Sequence, residues 1–200
     1  MNLHLILTPK MLPYLAIPVG ISILALSICI NFLMYDSNEP RKVFRASPVD
    51  TLTMSLFAVG ASLLVTFRIA EFPAWGLSTA YVVSGLTLFY AGIAVNLAGR
   101  WSLGPNWSDQ IRIRQKHTVV QRGIYRYIRH PLYASTIAML LGAGLVFRNG
   151  AVLGTTALIF IPMMIYRARQ EEANLIEALP EYADYRRRTG MFLPKPFARS

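Results

Sequence analysis

Five long apolar blocks dominate this chain, and they restrict it to folds in which helices cross a lipid bilayer. Spanning the hydrocarbon core takes about 20 predominantly apolar residues, and the first three blocks approach or exceed that length. The last two are shorter and only Arg148–Gly150 separates them, so we expect a tight helical hairpin there. The blocks are Leu12–Tyr35, Thr51–Ala70, Leu77–Gly99, Leu132–Phe147 and Ala151–Tyr166.

The composition agrees with a membrane protein. Charged residues make up 15% of the chain, whereas a soluble domain has about 25%. We expect the first apolar block to be retained, because no convincing signal-peptide cleavage site follows it. Cys29 is the single cysteine, so no disulfide framework is expected. The three histidines lack the spacing of metal ligands, which predicts no metal site. The predicted fold class is an all-α polytopic membrane bundle of about five transmembrane helices.

The basic residues are divided unevenly between the loops, and this division predicts the orientation of the bundle. With five spans, 17 of the 20 Lys and Arg residues fall on one side, and Lys10, Arg68 and Arg148 fall on the other. Since basic residues favour the cytoplasmic side, we expect the amino terminus outside and the carboxyl terminus in the cytoplasm. Orientation and contact with anionic lipids then account for the net charge of +10, and we expect no nucleic-acid partner.

The predicted spans divide the chain into two portions. Residues 1–99 carry the first three predicted spans. Residues 100–200 carry a cytoplasmic loop, the last two spans and a cytoplasmic carboxyl-terminal helix. Because the last two spans form a hairpin, the loop and the tail meet at one end of it. We expect any chemistry at that meeting point.

Two clusters of polar residues mark this end of the hairpin. Pro131 suits the first position of a helix, and the N–H groups of that helix end, with Arg129 and His130 beside it, favour an anion. Arg167 and Glu171 share one face of the last helix. Carboxylates near basic groups and a helix N-terminus can hold a zwitterion. The simpler interpretation is interfacial anchors plus an exposed intrahelical ion pair, which stabilises a helix little.

These stretches resemble a known family of membrane enzymes. "GIYRYIRHPLY" (Gly123–Tyr133), followed by "RARQEE" (Arg167–Glu172), is similar to the isoprenylcysteine carboxyl methyltransferases and their phospholipid methyltransferase relatives. "HTVV" (His117–Val120) resembles the HxLV stretch of that family, with Val119 in place of leucine. "EYADYRRRTGMFLP" (Glu181–Pro194) resembles its carboxyl-terminal signature.

The resemblance implies an S-adenosylmethionine-dependent methyltransferase and assigns roles to particular residues. Arg167 and Glu171 are the implied catalytic residues, and Arg167 also binds the acceptor. Glu172 either joins Glu171 on the cofactor or braces the helix. An upstream glutamine is implied too, with Gln110 and Gln115 both open. The implied cofactor contacts are His117, Thr118, Val119, Val120, Tyr125, His130, Pro131, Leu132, Tyr133, Glu171 and Glu172.

The acceptor is the least determined part of the expected reaction. We favour the carboxylate of a hydrophobic or lipidated acceptor, because a carboxylate is already a nucleophile at neutral pH. N-methylation of a phospholipid amine is the alternative, and it requires a base to remove a proton. A third possibility is a non-catalytic lipid-binding membrane protein. The expected location is a prokaryotic inner (plasma) membrane, with the active site facing the cytoplasm and the oligomeric state open.

Overall fold

The structure is mostly helical, as expected from the apolar blocks. The computed structural model describes residues 12–35, 42–43, 56–57, 59–61, 63–72, 78–104, 112–113 and 119–195. Its helices are α1 (Leu12–Tyr35), α2 (Ser78–Leu103), α3 (Pro131–Val146), α4 (Gly150–Thr155), α5 (Ile161–Ala178) and α6 (Tyr182–Arg188). A 3-10 helix occupies Gly123–Arg126, and a π-helical turn, Thr156–Phe160, joins α4 to α5.

A short β ladder is the one departure from the all-α expectation within the described ranges. Strands β1 (Lys42–Val43) and β2 (Arg112–Ile113) pair antiparallel, with Lys42 opposite Ile113. The ladder connects two segments that the sequence assigned to loops on the same side of the membrane. It leaves the helical class of the fold unchanged.

Four of the five apolar blocks correspond to helices. The first block coincides with α1. The second block is described only in part: residues 56–57, 59–61 and 63–66 are helical, and residues 67–70 form a turn. The other positions of that block lie outside the described residues. By length and apolar composition, Thr79–Leu103 and the continuous run Gly150–Ala178 are long enough to cross a membrane, whereas Leu15–Asn31 and Pro131–Val146 are shorter. The number of five spans and their orientation stay predictions.

Helices α2 and α3 form the centre of the bundle, and glycines bring their backbones together. A Cβ added to Gly142 would lie 2.6 Å from the backbone N of Phe89 and 2.7 Å from the carbonyl O of Gly85. Gly92 lies against Ser135 and Met139, and Gly99 lies against Leu132. The contacts run in opposite directions along the two helices, so the pair is antiparallel. This close approach of small residues is how helices associate within a bilayer, where apolar burial alone gives no preference.

The predicted hairpin between α3 and α4 is present, and its turn is bound to the segment before α2. Asn149 caps α4 by accepting a 2.9 Å hydrogen bond from Val152 N, and its Nδ2 donates to Leu64 O over 2.9 Å. Glu71 forms ion pairs with Arg68 at 2.6 Å and with Arg148 at 2.8 Å. Arg68 and Arg148 therefore share one end of the bundle, as the charge count expected.

Pro162 interrupts the last apolar block, and the helix turn before it is widened. Proline cannot donate a backbone hydrogen bond to the preceding turn, and the turn directly before it, Thr156–Phe160, is π-helical. Pro162 then occupies the first turn of α5. The helical run from Gly150 to Ala178 thus continues through the proline and carries the last apolar block into the polar residues beyond it.

We predict that the α2–α3 contact tolerates no side chain at Gly142. Gly142→Ala places a methyl group against the Gly85 and Phe89 backbones, and overpacking of this kind costs about 1–3 kcal/mol. Thermal unfolding in detergent should show a lowered midpoint. Gly154→Ala is the matched control, since nothing lies within 4 Å of its added Cβ and alanine favours a helix over glycine. Equal midpoints for the two variants would contradict the close-packing assignment.

Candidate functional site

The segment leading into α3 is a compact turn that delivers two consecutive functional side chains, Arg129 and His130. Gly123 has a φ of 58° and begins the 3-10 helix; a side chain there would also clash with Ser102 Oγ at the end of α2. Arg122 Nε donates to Ser102 O over 3.1 Å. Together these contacts fix the turn on α2, so that the chain reaches Arg129 and His130 just before Pro131 starts the helix.

The carboxyl-terminal segment runs beside this turn and closes it. Arg129 N donates to Gly190 O over 2.9 Å, and His130 N donates to Met191 O over 3.0 Å. The Tyr185 hydroxyl donates to Tyr125 O over 2.6 Å. Burial raises the pKa of Tyr185 to about 12, so this hydroxyl keeps its proton as a donor at physiological pH. The tail is therefore a structural part of the site.

Glu172 is fully buried and receives positive charge from three directions. Its Oε1 accepts from Arg129 Nε at 2.7 Å and lies 3.0 Å from His130 Nε2. Arg186 Nε lies 2.9 Å from Oε2. Arg129 is itself 8% exposed and also donates to the carbonyls of Arg186 and Thr189. One carboxylate thus connects the start of α3, the end of α5 and helix α6.

Glu171 occupies a different environment from its neighbour. Its side chain is 28% exposed, and its Oε2 accepts a 3.1 Å hydrogen bond from the Tyr133 hydroxyl. The same oxygen lies 3.6 Å from His130 Nδ1. The His130 ring stacks parallel to the Tyr133 ring, with 5.4 Å between centroids. Glu171 is therefore an oriented carboxylate that a ligand can reach.

Arg167 lies one turn before Glu171, with its guanidinium carbon 6.0 Å from the centroid of the Tyr133 ring. This is a cation–π distance, so Arg167 is placed over the same tyrosine that holds Glu171. The intrahelical ion pair considered from the sequence, Arg167 with Glu171, does not form within the part of the chain that the structure describes. The adjacent Glu172 makes tertiary contacts instead, pairing with arginines from elsewhere in the chain.

The structure brings six of the candidate site residues into one cluster. Glu171, Glu172, His130 and Tyr133 are in direct contact, and Arg167 lies over the Tyr133 ring. Tyr125 is buried beside them, within electrostatic reach of Glu171 and Tyr133.

The remaining candidates are not in that cluster. Pro131 and Leu132 pack against Gly99 of α2, Val119 and Val120 are half-buried in the loop before Gly123, and His117, Thr118, Gln110 and Gln115 lie outside the described residues. Among the residues described, no group of three or more His, Cys, Asp or Glu side chains could hold a metal ion.

Sequence reasoning missed Arg186 and gave Arg129 a different position. Arg186 was counted only among the basic residues on the predicted cytoplasmic side, whereas it pairs with Glu172. Arg129 was placed beside a free helix end, whereas its guanidinium is buried on Glu172. The sequence carried one usable signal: a double glutamate following a long apolar run needs nearby cations, because a buried carboxylate must be paired.

Comparison with known proteins agrees with this geometry. Residues 85–177 match the model of the isoprenylcysteine carboxyl methyltransferase (ICMT) family. This segment is therefore similar to the ICMT family. It contains α3, the π-helical turn Thr156–Phe160 and nearly all of α5. The resemblance inferred from the sequence is therefore confirmed. The segment includes the site residues His130, Tyr133, Arg167, Glu171 and Glu172.

Individual relatives come from bacteria and animals. The cobalt-zinc-cadmium resistance protein CzcN of Cupriavidus metallidurans is 37% identical over 56% of this chain, and the match spans about half (51%) of that relative's length. Protein-S-isoprenylcysteine O-methyltransferase of Homo sapiens is 25% identical over 82% of this chain and 60% of its own.

A solved ICMT structure shares the fold. The eukaryotic intramembrane Ras methyltransferase ICMT superposes with a TM-score of 0.62 and 22% identity, covering 97% of this chain and 70% of that one. At this identity the likeness is one of fold. It shows that an ICMT-like membrane fold accommodates nearly the whole chain.

We predict that Glu172 is required for the folded site. Glu172→Gln removes the negative charge and leaves Arg129 and Arg186 without a compensating carboxylate; breaking a buried ion pair in this way costs about 3–5 kcal/mol. Thermal unfolding in detergent should show a large loss of stability. Glu177→Gln makes the same change on an exposed part of α5 and should leave the midpoint within about a degree or two of the parent. Similar midpoints for both variants would show that Glu172 is dispensable.

Proposed function

We propose that this protein is an integral-membrane methyltransferase that uses S-adenosylmethionine and methylates the carboxylate of a hydrophobic or lipidated acceptor. The observation that carries the proposal is the oriented, accessible carboxylate of Glu171, held by Tyr133 and His130 within the segment that is similar to the ICMT family. It lies where a long apolar helix reaches polar surroundings. A water-borne donor and a membrane-borne acceptor can both reach such a position.

The residues at the site fit S-adenosylmethionine, which when bound supplies a methyl group activated by a positively charged sulfur. Glu171 suits the ammonium of the amino-acid portion, since its carboxylate is exposed and already oriented. The Tyr133 ring suits a cationic portion through its π face. Glu172 does not serve as a second ligand in this proposal, because it is fully buried on Arg129, His130 and Arg186. It braces the helix, which was the other option left open by the sequence.

Arg167 is proposed to bind and aim the acceptor carboxylate. It extends from the same helix as Glu171 and one turn nearer the apolar part, so an acceptor held there faces the Glu171 position. A guanidinium holds a carboxylate through two parallel hydrogen bonds and fixes its direction. Methyl transfer is an in-line displacement and gains chiefly from such positioning. No proton needs to leave a carboxylate acceptor.

The apolar surface of the same helix suits the tail of the acceptor. Leu158 and Ile159 in the π-turn are 79% and 55% exposed, and Tyr166 is 62% exposed, one residue before Arg167. We propose that the tail lies along this surface within the bilayer, with the site at the cytoplasmic face of a prokaryotic inner membrane. The excess of basic residues on the predicted cytoplasmic side supports that placement.

N-methylation of a phospholipid amine is the second candidate, and one contact favours it. An amine acceptor must lose a proton, and His130 Nδ1 lies 3.6 Å from the accessible Glu171 carboxylate. A histidine–carboxylate pair of this kind can accept a proton. His130 is 6% exposed, however, so the proton would have to pass through Glu171.

We predict that Glu171 and Arg167 divide donor and acceptor binding between them. Glu171→Gln removes the charge that pairs with the ammonium and should weaken binding of S-adenosylhomocysteine in detergent by about tenfold or more, measured by isothermal titration calorimetry. Arg167→Gln should leave that affinity nearly unchanged and instead raise the KM for the acceptor. Glu177→Gln, on the exposed part of α5, serves as the control. Unaltered S-adenosylhomocysteine binding in Glu171→Gln would remove the assigned role.

We predict that the methyl group is transferred as an ester. Purified protein, incubated with S-adenosylmethionine labelled in its methyl group and with membrane lipid extract, should give labelled product that releases methanol in mild base. Glu171→Gln should abolish the label. Base-stable label would show N- or S-methylation instead, and absence of label with every membrane extract would argue for a non-catalytic lipid-binding protein.

A further inference from the structure

Arg100 lies in the last turn of α2, and a chain of hydrogen bonds fixes its side chain. Its Nε donates to Asn96 Oδ1 over 2.8 Å. Asn96 is 4% exposed, and its Nδ2 donates to Ser135 Oγ of α3 over 2.8 Å. Ser135 in turn donates to Leu132 O over 2.7 Å. A guanidinium whose Nε is held in this way keeps a fixed direction, and an arginine of fixed geometry suits the binding of a carboxylate.

Arg100 lies at the end of α2 that meets the site. Two residues further on, Ser102 receives the Arg122 side chain and faces Gly123 at the start of the 3-10 helix. That helix carries Tyr125, which is buried. Burial raises the pKa of Tyr125, the negative charge of Glu171 raises it further, and the positive charge of Arg100 opposes them. Arg100 and Glu171 are therefore both within electrostatic reach of the same tyrosine.

The carboxylate of a zwitterionic ligand needs a cation that the residues at the start of α3 do not supply, and Arg167 is already assigned to the acceptor. The sequence assigned the carboxylate of a zwitterion to His130 and the start of α3. In the structure the two ring nitrogens of His130 face Glu172 and Glu171, and the Arg129 guanidinium is bound to Glu172. Pro131 and Leu132 pack against α2. A carboxylate near Glu171 would find no counter-charge at this helix start.

We propose that Arg100 binds the carboxylate of a ligand in the Glu171 site and that Asn96 positions it by holding Nε. This inference rests on the proposed function and adds a residue of α2 to a site otherwise built from the loop, α3 and α5. Glu171 and Arg100 then provide one negative and one positive group, which matches an α-amino acid. The carboxylate belongs either to the methyl donor or to the acceptor.

A pair of ligands that differ only in the carboxylate tests the assignment. S-Adenosylhomocysteine and its decarboxylated analogue are titrated into the wild type, Arg100→Gln and Arg100→Lys in detergent. If the donor carboxylate is bound, Arg100→Gln should lose about tenfold or more in affinity for the first ligand and little for the second. If the acceptor carboxylate is bound, both affinities should be unchanged and the acceptor KM should rise about tenfold. Arg100→Lys keeps the charge without the forked geometry and should lose less.

The controls separate this inference from misfolding and from the proposed function. Arg126→Gln makes the same charge change on an exposed residue of the 3-10 helix and should alter none of these values. Equal losses for both ligands, or no change in either affinity or in KM, would overturn the role of Arg100. A wild type that binds neither ligand would overturn the proposed function itself.

Discussion

The buried carboxylate of Glu172 is the interaction on which the site depends. It receives Arg129 and His130 from the segment before α3, and Arg186 from α6, while its own backbone belongs to α5. Burying one charge without partners would be prohibitive, so the two guanidinium groups, the His130 ring and the carboxylate must assemble together. A buried ion pair adds little net stability over apolar packing. Its effect here is specificity, because it fixes the position of His130 and the rotation of α5 relative to α3.

That rotation explains why two adjacent glutamates have different environments. Neighbouring residues of an α-helix point about 100° apart, so when Glu172 faces inward Glu171 faces the edge of the cluster. There it meets Tyr133 and His130 and remains 28% exposed. The π-turn before Pro162 contributes to the same result, since one extra residue in a turn shifts the face that all later residues present. Pro162, in the apolar part of this helix, thus helps to set the direction in which the polar side chains of α5 point.

The bundle behind the site is held by contacts of another kind. Glycines at positions 85, 92 and 142 let α2 and α3 approach at backbone distance, and the Asn149 turn binds the hairpin to the preceding segment. Asn96 links the two systems, because it joins α2 to α3 through Ser135 and at the same time holds Arg100. One amide side chain therefore both contacts the neighbouring helix and orients a cation.

The sequence alone determined the helical class and the apolar blocks that become α1, α2, α3 and the α4–α5 run. It also determined the hairpin turn, the helix start at Pro131 and the residues of the family motif. These are local properties, set by runs of apolar side chains and by proline and glycine in particular positions. Only the tertiary structure decided that Arg129 is buried, that His130 bridges two carboxylates, that Glu172 is buried while Glu171 is accessible, and that Arg186 joins the cluster. Arg129 and His130 lie 43 and 42 residues before Glu172 along the chain, and no local pattern records which cation a buried carboxylate will meet.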